Sequence, residues 1–323
     1  MAKQKKVNRP SDSESAGSTS ASAYHVPVML HETVDALQVK PDGVYVDCTF
    51  GGGGHIREIL RRLGPAGKLV GFDQDADAAS NLPVDDRLVF IPENFRHVYR
   101  FLRLNGLLPV DGIMADLGVS SHQFDEADRG FSYRFDAQLD MRMDQRQPVT
   151  AASILNSYDA AALQNILSQY GEVTNARTLA AALVARRQQA SYSTISDLLQ
   201  VLEPLAKGNP NRYYAQVFQA LRIEVNDELG VLKEWLEQLP KVLKPGGRVA
   251  VITFHSLEDR LVKTYFRDGG FEKTEDPIYG AKSQSPFVLI TKKPIEASAE
   301  EVKRNDRSRS ARLRVAELRE VKE

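Results

Sequence analysis

From Tyr24 onward, short and largely apolar runs alternate with longer stretches in which apolar residues recur every three or four positions. Four of the short runs come early: Val44 to Phe50, Lys68 to Asp73, Arg87 to Pro92 and Val110 to Asp116. Each is bounded by Gly, Pro or Asp, as are strands buried on both faces of a parallel sheet. Helical spacing between them supplies the covering layers, so the pattern predicts a doubly wound α/β sheet.

Between Arg129 and Val225 the period changes. Asp159 to Tyr170, Asn175 to Gln189 and Thr194 to Ala206 read as helices with no strand among them, which predicts a small all-helical domain inserted into a crossover of the sheet. Asp227 to Leu243 reads as a further covering helix, stopped by Lys244, Pro245, Gly246 and Gly247. Arg248 to Phe254 is the next strand, and Pro286 to Thr291 the last, with an antiparallel orientation left open. Residues 1–23 are rich in Ser, Ala and Lys and lack apolar periodicity, so they are expected to form a disordered arm. The predicted organisation is this arm, a first α/β part over 24–128, the helical insertion over 129–225, and a second α/β part over 226–323 that ends in a basic tail.

Composition narrows the class. With 323 residues, one large domain carrying an insertion, or two domains, is the expectation. No apolar run approaches the roughly 20 residues that span a bilayer, so no membrane association is expected. Cys48 is the single cysteine, which excludes an internal disulfide framework and a cysteine metal cluster. The basic N-terminal residues are not followed by an apolar export segment, and a cytoplasmic location fits both features.

Net charge is −1, but that average hides a local bias. Lys303 to Arg314 holds six basic residues and one acid, making Arg307, Arg309, Arg312 and Arg314 candidate phosphate contacts. In the helical region Arg186, Arg187, Lys207, Arg212 and Arg222 are available for the same role, with Tyr213 and Tyr214 as stacking platforms. A solvated tail and aromatic packing between helices are the competing readings.

The most informative segment runs from Asp47 through Gly51, Gly52, Gly53 and Gly54 to His55, between a strand and a helix. Glycines there let a ligand approach the backbone while the first helical N–H groups point at it, which suits a nucleotide. The dinucleotide fingerprint is incomplete, because Ile56 stands where its third glycine belongs. The spacing instead matches the acidic-x-Gly-x-Gly-x-Gly loop of class I methyltransferases, with Thr49 in place of the first glycine. Asp73 ends the second strand, where a carboxylate accepts ribose hydroxyls; alone it reads equally well as a helix cap, and NAD enzymes use such an acid too.

With these residues in view, the chain resembles the MraW/RsmH family of ribosomal RNA small-subunit methyltransferases, which methylate N4 of a cytidine in the decoding region. The matching blocks are 25–32, 47–55, 73–75, 116–123, 129–132, 139–143, 218–226, 254–260 and 307–314, in order and at family spacing. The resemblance implies a class I (Rossmann-like) sheet with an inserted all-helical domain, S-adenosylmethionine as methyl donor, no required metal, and the small-subunit ribosomal RNA or the small ribosomal subunit as partner. It further implies a donor site built from Gly53, Gly54, His55, Asp73, Phe95, Asp116 and Gln123.

Cytosine N4 is a poor nucleophile, so an acceptor for its N–H hydrogens is needed, and Asp116 or a carbonyl of its loop is the candidate. His25 and His255 are candidates for contact with the target base. Methylation at C5 would need a thiolate to attack C6, and Cys48 reads as a core residue, which favours N4. Another RNA or DNA amino-methyltransferase, a dinucleotide oxidoreductase and a non-catalytic RNA-binding module are the alternatives.

Overall fold

The computed structural model describes residues 27–271 and 285–320; His25 and the 1–23 arm lie outside them. Among the described residues eight strands form one sheet: β1 (Val44–Asp47), β2 (Lys68–Phe72), β3 (Leu88–Ile91), β4 (Val110–Asp116), β5 (Leu243–Thr253), β6 (Phe287–Leu289), β7 (Ile295–Glu296) and β8 (Arg312–Leu318). Their order is β3-β2-β1-β4-β5-β8-β6, with β7 also paired to β8. The first five strands are mutually parallel, and β8 runs antiparallel to β5, β6 and β7. This is a class I methyltransferase sheet. Strand order reverses between β1 and β4, so a crevice opens beyond their C-terminal ends, where open α/β sheets bind ligands.

Side chains alternate across each strand, and the two faces fill separately. Val46, Val249 and Val251 pack with Leu102, Trp235, Leu236 and Phe266, whereas Tyr45, Ala250 and Ile252 pack with Val34, Ile56 and Ile59. The second group comes from α1 (Leu30–Ala36) and α2 (Gly54–Arg62), while α3 (Val98–Leu104) contributes to the first. After β4 come α4 (Ser121–Asp125), α5 (Ala151–Ser157), α6 (Ala160–Gln169), α7 (Ala176–Arg187), α8 (Ile195–Leu202) and α9 (Pro210–Asn226). Asp159, Thr194 and Asn209 cap α6, α8 and α9 through their side-chain oxygens. A third apolar core, including Leu155, Leu163, Leu179, Leu198 and Leu221, holds α5 to α9 together. The chain then returns through α10 (Glu228–Val242), α11 (Ser256–Asp268) and α12 (Ala299–Arg304). Among the described residues no helix is long and apolar enough to cross a membrane.

Asn226 joins the two ends of the helical segment. Its Oδ1 accepts the Met143 N–H at 2.8 Å, and its Nδ2 donates to the Met141 carbonyl at 2.8 Å. Asp227 follows in a left-handed conformation, φ 48°, which separates α9 from α10.

Two expectations need correction. The Lys244-to-Gly247 turn belongs to β5, because Leu243 already pairs with Val110 and the register shifts before Gly112 meets Arg248. The basic segment is no free tail: Arg312 to Glu317 of β8 pair with Thr253 to Arg248, placing this strand inside the sheet between β5 and β6. Consequently Phe287–Leu289 is not the last strand. The alternation of Leu313 and Val315 with Arg312 and Arg314 carries the strand pattern, and the arginines obscured it by reading as a basic tail.

Candidate active site

The glycine loop crosses above the ends of β1 and β2. Gly51 and Gly53 have φ of 50° and 72°, a conformation costly to side chains with a Cβ. Gly54 is required for another reason: a Cβ there would lie 1.9 Å from Cγ of Pro27. Residues 27–29 thus pass directly over the loop. His55 fastens them, its Nε2 standing 3.2 Å from the Val28 carbonyl. Burial lowers the His55 pKa to about 4, so the ring is neutral and its proton sits on Nε2, facing that carbonyl.

Three carboxylates stand at successive strand ends. Asp73 Oδ2 accepts the Gly51 N–H at 2.8 Å, and Oδ1 accepts the Asp75 N–H at 2.9 Å, so this acid sets the loop's position above β2. Burial raises its pKa to about 6. Asp47 Oδ1 accepts the Thr49 N–H at 3.0 Å, and the Thr49 hydroxyl in turn accepts the Asp116 N–H at 2.7 Å. Thr49, the departure from the glycine pattern, therefore ties β1 to β4. Asp47 Oδ2 and Asp116 Oδ1 are buried without a hydrogen-bond partner among the described residues. Burial lifts the pKa of Asp47 to about 7, and burial with the nearby Asp47 charge lifts Asp116 well above the carboxylate range.

A second layer supports them. Asp75 Oδ2 accepts from Gln123 Nε2 at 2.6 Å and from Arg129 Nη2 at 2.8 Å, and Arg129 also bonds Asp77 and the Met143 carbonyl. Gln123 Oε1 accepts the Ser120 N–H at 3.0 Å, so both ends of its amide are engaged. Phe95 is half-buried in the turn after β3, edge-on to Trp235 with centroids 5.9 Å apart.

On the far side of β4, the β5–α11 turn carries His255. Its Nδ1 accepts the Glu258 N–H at 3.4 Å, while Glu258 Oε2 accepts the Phe254 N–H at 2.8 Å. His255 Nε2 lies 3.2 Å from Glu258 Oε1 yet is not aligned for a hydrogen bond. Glu228, His255 and Glu258 bring ligand-type atoms within 4.8 Å of one another. Arg222 grips Glu228 there at 2.8 and 3.0 Å, so a guanidinium supplies positive charge beside the cluster.

The structure thus gathers Gly53, Gly54, His55, Asp73, Asp116 and Gln123 around the switch-point crevice, with Phe95 on the turn beside it, and places His255 one strand further on. The arginines divide. Arg314 is buried and held bidentately by Asp259 at 2.7 and 3.0 Å, which removes it from any surface role. Arg307 bonds Asp125 at 2.9 Å and lies 5.2 Å from the Phe124 ring centroid. Arg309 and Arg312 remain exposed, at 70% and 46% of their side chains. In the helical region Arg222 is paired with Glu228, Arg187 bonds the Leu155 and Tyr158 carbonyls, and Tyr213 is buried, so these serve packing.

Sequence reasoning did not single out Arg129 or Asp75, and left Glu258 open between a helix cap and a pair with Arg260. The cap had a signal: an acid three residues after a helix cap is a capping-box spacing. Asp75 and Arg129 are 54 positions apart and offered none.

Comparison with known proteins agrees with this geometry. The model of the MraW methylase family matches residues 22–319. A ribosomal RNA small subunit methyltransferase H of Parabacteroides distasonis is 56% identical over 299 residues, which covers 92% of this chain and 98% of that protein. One of the same name from Flavobacterium johnsoniae is 52% identical, covering 93% and 99%. The chain belongs to the MraW methylase family.

Proposed function

We propose that the chain methylates the N4 amino group of a cytidine in the decoding region of small-subunit ribosomal RNA, with S-adenosylmethionine as donor. The carrying observation is the pair of buried, unpartnered carboxylate oxygens on Asp47 and Asp116 beside a nucleotide-type loop. Acids raised this way ionise most readily beside a positive charge, so the crevice suits a nucleoside that carries one and offers no counter-charge to a dinucleotide pyrophosphate. S-adenosylmethionine fits that description, and it supplies a methyl group already activated on a sulfonium.

The N-terminal turn of α2 at Gly53, Gly54 and His55 would face the donor's methionine end, and Asp73 its ribose. Phe95, and the layer that Gln123 holds through Asp75, would border the adenine. Asp116 ends β4 at the boundary between the donor crevice and the β5 turn. From there its Oδ1 would accept an N4 hydrogen, raising electron density on the nitrogen and fixing its lone pair in line with the methyl group. His255, kept in place by its cap with Glu258, would border the base on the opposite side. The strap over 27–29 excludes water from one flank, and the helical insertion reaches the other, where Glu172 Oε1 lies 3.3 Å from the Ser256 hydroxyl. That insertion is the substrate-side domain of this proposal.

The test is labelled methyl transfer to small ribosomal subunits from cells lacking the gene, followed by nucleoside analysis. Label in N4-methylcytidine is the expected result. Label on C5, on ribose or on no RNA rejects the proposal. Asp116→Asn should lower turnover about a hundredfold or more, whereas unchanged turnover would remove its role as hydrogen acceptor.

A further inference from the structure

A cleft of about 320 Å³ lies beside the active site, where the C-terminal end of β5 meets the N-terminal end of β8. Phe254, Ser256, Glu296, Arg309, Ser310 and Arg312 are among its walls. We infer that it binds the phosphate and ribose of a nucleotide adjacent to the target cytidine, so that the RNA strand runs from Asp116 across β5 to β8. This rests on the RNA methyltransferase reading above and adds where the neighbouring nucleotide sits.

Register fixes the cleft's distance from the chemistry. Asp116 is paired with Ile252, and the next residue of β5, Thr253, with Arg312. Two strand spacings put the Arg312 backbone about 10 Å from that of Asp116. An extended nucleotide bridges such a gap, and the volume is near the lower end of the range for small-ligand sites. Phe254 stands between the two places: a Cβ on Gly118 of the Asp116 loop would sit 3.4 Å from its ring, and the same residue lines the cleft. Its aromatic surface is available to a base next to the target.

Charge at the cleft favours an anion. Asp259 lies between two arginines, held bidentately by buried Arg314 and only loosely by Arg312 at 3.5 Å, so one positive charge is left over on the Arg312 side. Arg309 pairs with Asp306, but that pair is 70% and 79% exposed and exchanges readily for a phosphate. The α11 N-terminus opens at Ser256, adding the positive end of a 13-residue helix, whose Glu258 N–H is already taken by the His255 cap. Ser256 and Ser310 offer hydroxyl donors. Glu296 is the carboxylate of this lining, and it is placed to accept from a ribose hydroxyl while the arginines hold the phosphate.

The experiment uses the full chain and small ribosomal subunits from cells lacking the gene. Arg309→Ala, Arg312→Ala and the double variant are compared with wild type in methyl-transfer kinetics at several salt concentrations, with donor affinity measured by calorimetry. The double variant should raise KM for the subunit about tenfold or more and reduce the salt slope by about one. The loss should fall on KM, donor affinity should be retained, and Arg312→Lys should recover part of it. If the double variant loses donor binding through misfolding, the exposed Arg309→Ala decides. Should the wild type deliver methyl to N4 while KM and salt slope stay unchanged in the variants, the cleft does not hold RNA. Should the wild type deliver none, the parent reading fails instead.

Discussion

Burial raises the pKa of Asp47 from 3.8 to about 7, and the sign of its effect on stability follows. The folded state holds this proton more tightly than the unfolded chain, so the contribution is full below about pH 3.8 and is lost as pH rises towards about 7. Asp47→Asn removes that loss. In urea denaturation without donor, the variant should gain stability relative to wild type across this window, by on the order of 4 kcal/mol at most. A difference that stays flat with pH would mean the acid is already neutralised by something in the fold. Donor binding should show the reverse dependence. Ionised Asp47 is the form that attracts a cation, so wild-type donor affinity should increase between about pH 5 and pH 8 and that of Asp47→Asn should increase less. Asp73 acts on the same ligand by a different route, since its oxygens already hold the loop through Gly51 and Asp75. Asp73→Ala should weaken the donor at least about tenfold in calorimetry by removing both the ribose acceptor and the loop's anchor; unchanged affinity would place the ribose elsewhere.

At the level of elements, β8 explains why some of the fold was legible and some was not. The strands β1, β2 and β4 announce themselves because burial on both faces demands continuous apolar runs. The helices α6 and α8 announce their starts through Asp159 and Thr194. β8 pairs its apolar residues with arginines, and the same letters read as a basic tail until the register with β5 is seen. The site divides in the same way: Gly51, Gly53, Asp73 and Asp116 occupy positions dictated by strand ends, whereas Asp75 meets Arg129 only through the path of the intervening chain. Losing β8 by ending the chain after Ala299 should therefore abolish cooperative unfolding rather than merely weaken RNA binding. A point variant separates charge from strand: Arg314→Met leaves Asp259 buried with only the distant Arg312, at a cost of about 3–5 kcal/mol. Arg309→Ala, on an exposed side chain, should stay within about 0.5 kcal/mol. Equal stability of the two variants in urea titration would show that the Asp259 pair is not the internal anchor described here.

Across the whole molecule, the helical core and the sheet cores have no buried residue in common, and polar links join them. Asn226 ties the entry to the exit, Arg129 ties the entry to Asp75 beside the donor crevice, and Arg96 of the sheet part pairs at 2.7 Å with Asp227, the residue that follows α9. Links of this kind hold two bodies in register without making them one cooperative unit, since each body keeps its own apolar core. A donor held at the β1–β4 crevice should then stabilise the sheet more than the helices. At a donor concentration of about 100 Kd the site gains roughly 2.7 kcal/mol, equivalent to about a hundredfold slowing of exchange for amides that open through unfolding of the sheet. Hydrogen exchange read by mass spectrometry should show that slowing in β1, β4 and β5, and less than about tenfold in α6 and α7, whose apolar contacts lie in the helical core. Slowing by the same factor in both regions would mean that Asn226 and Arg129 fuse the bodies into a single unit. In that case, ordering the donor site would also order the surface over which RNA enters, and donor and RNA would bind with positive cooperativity.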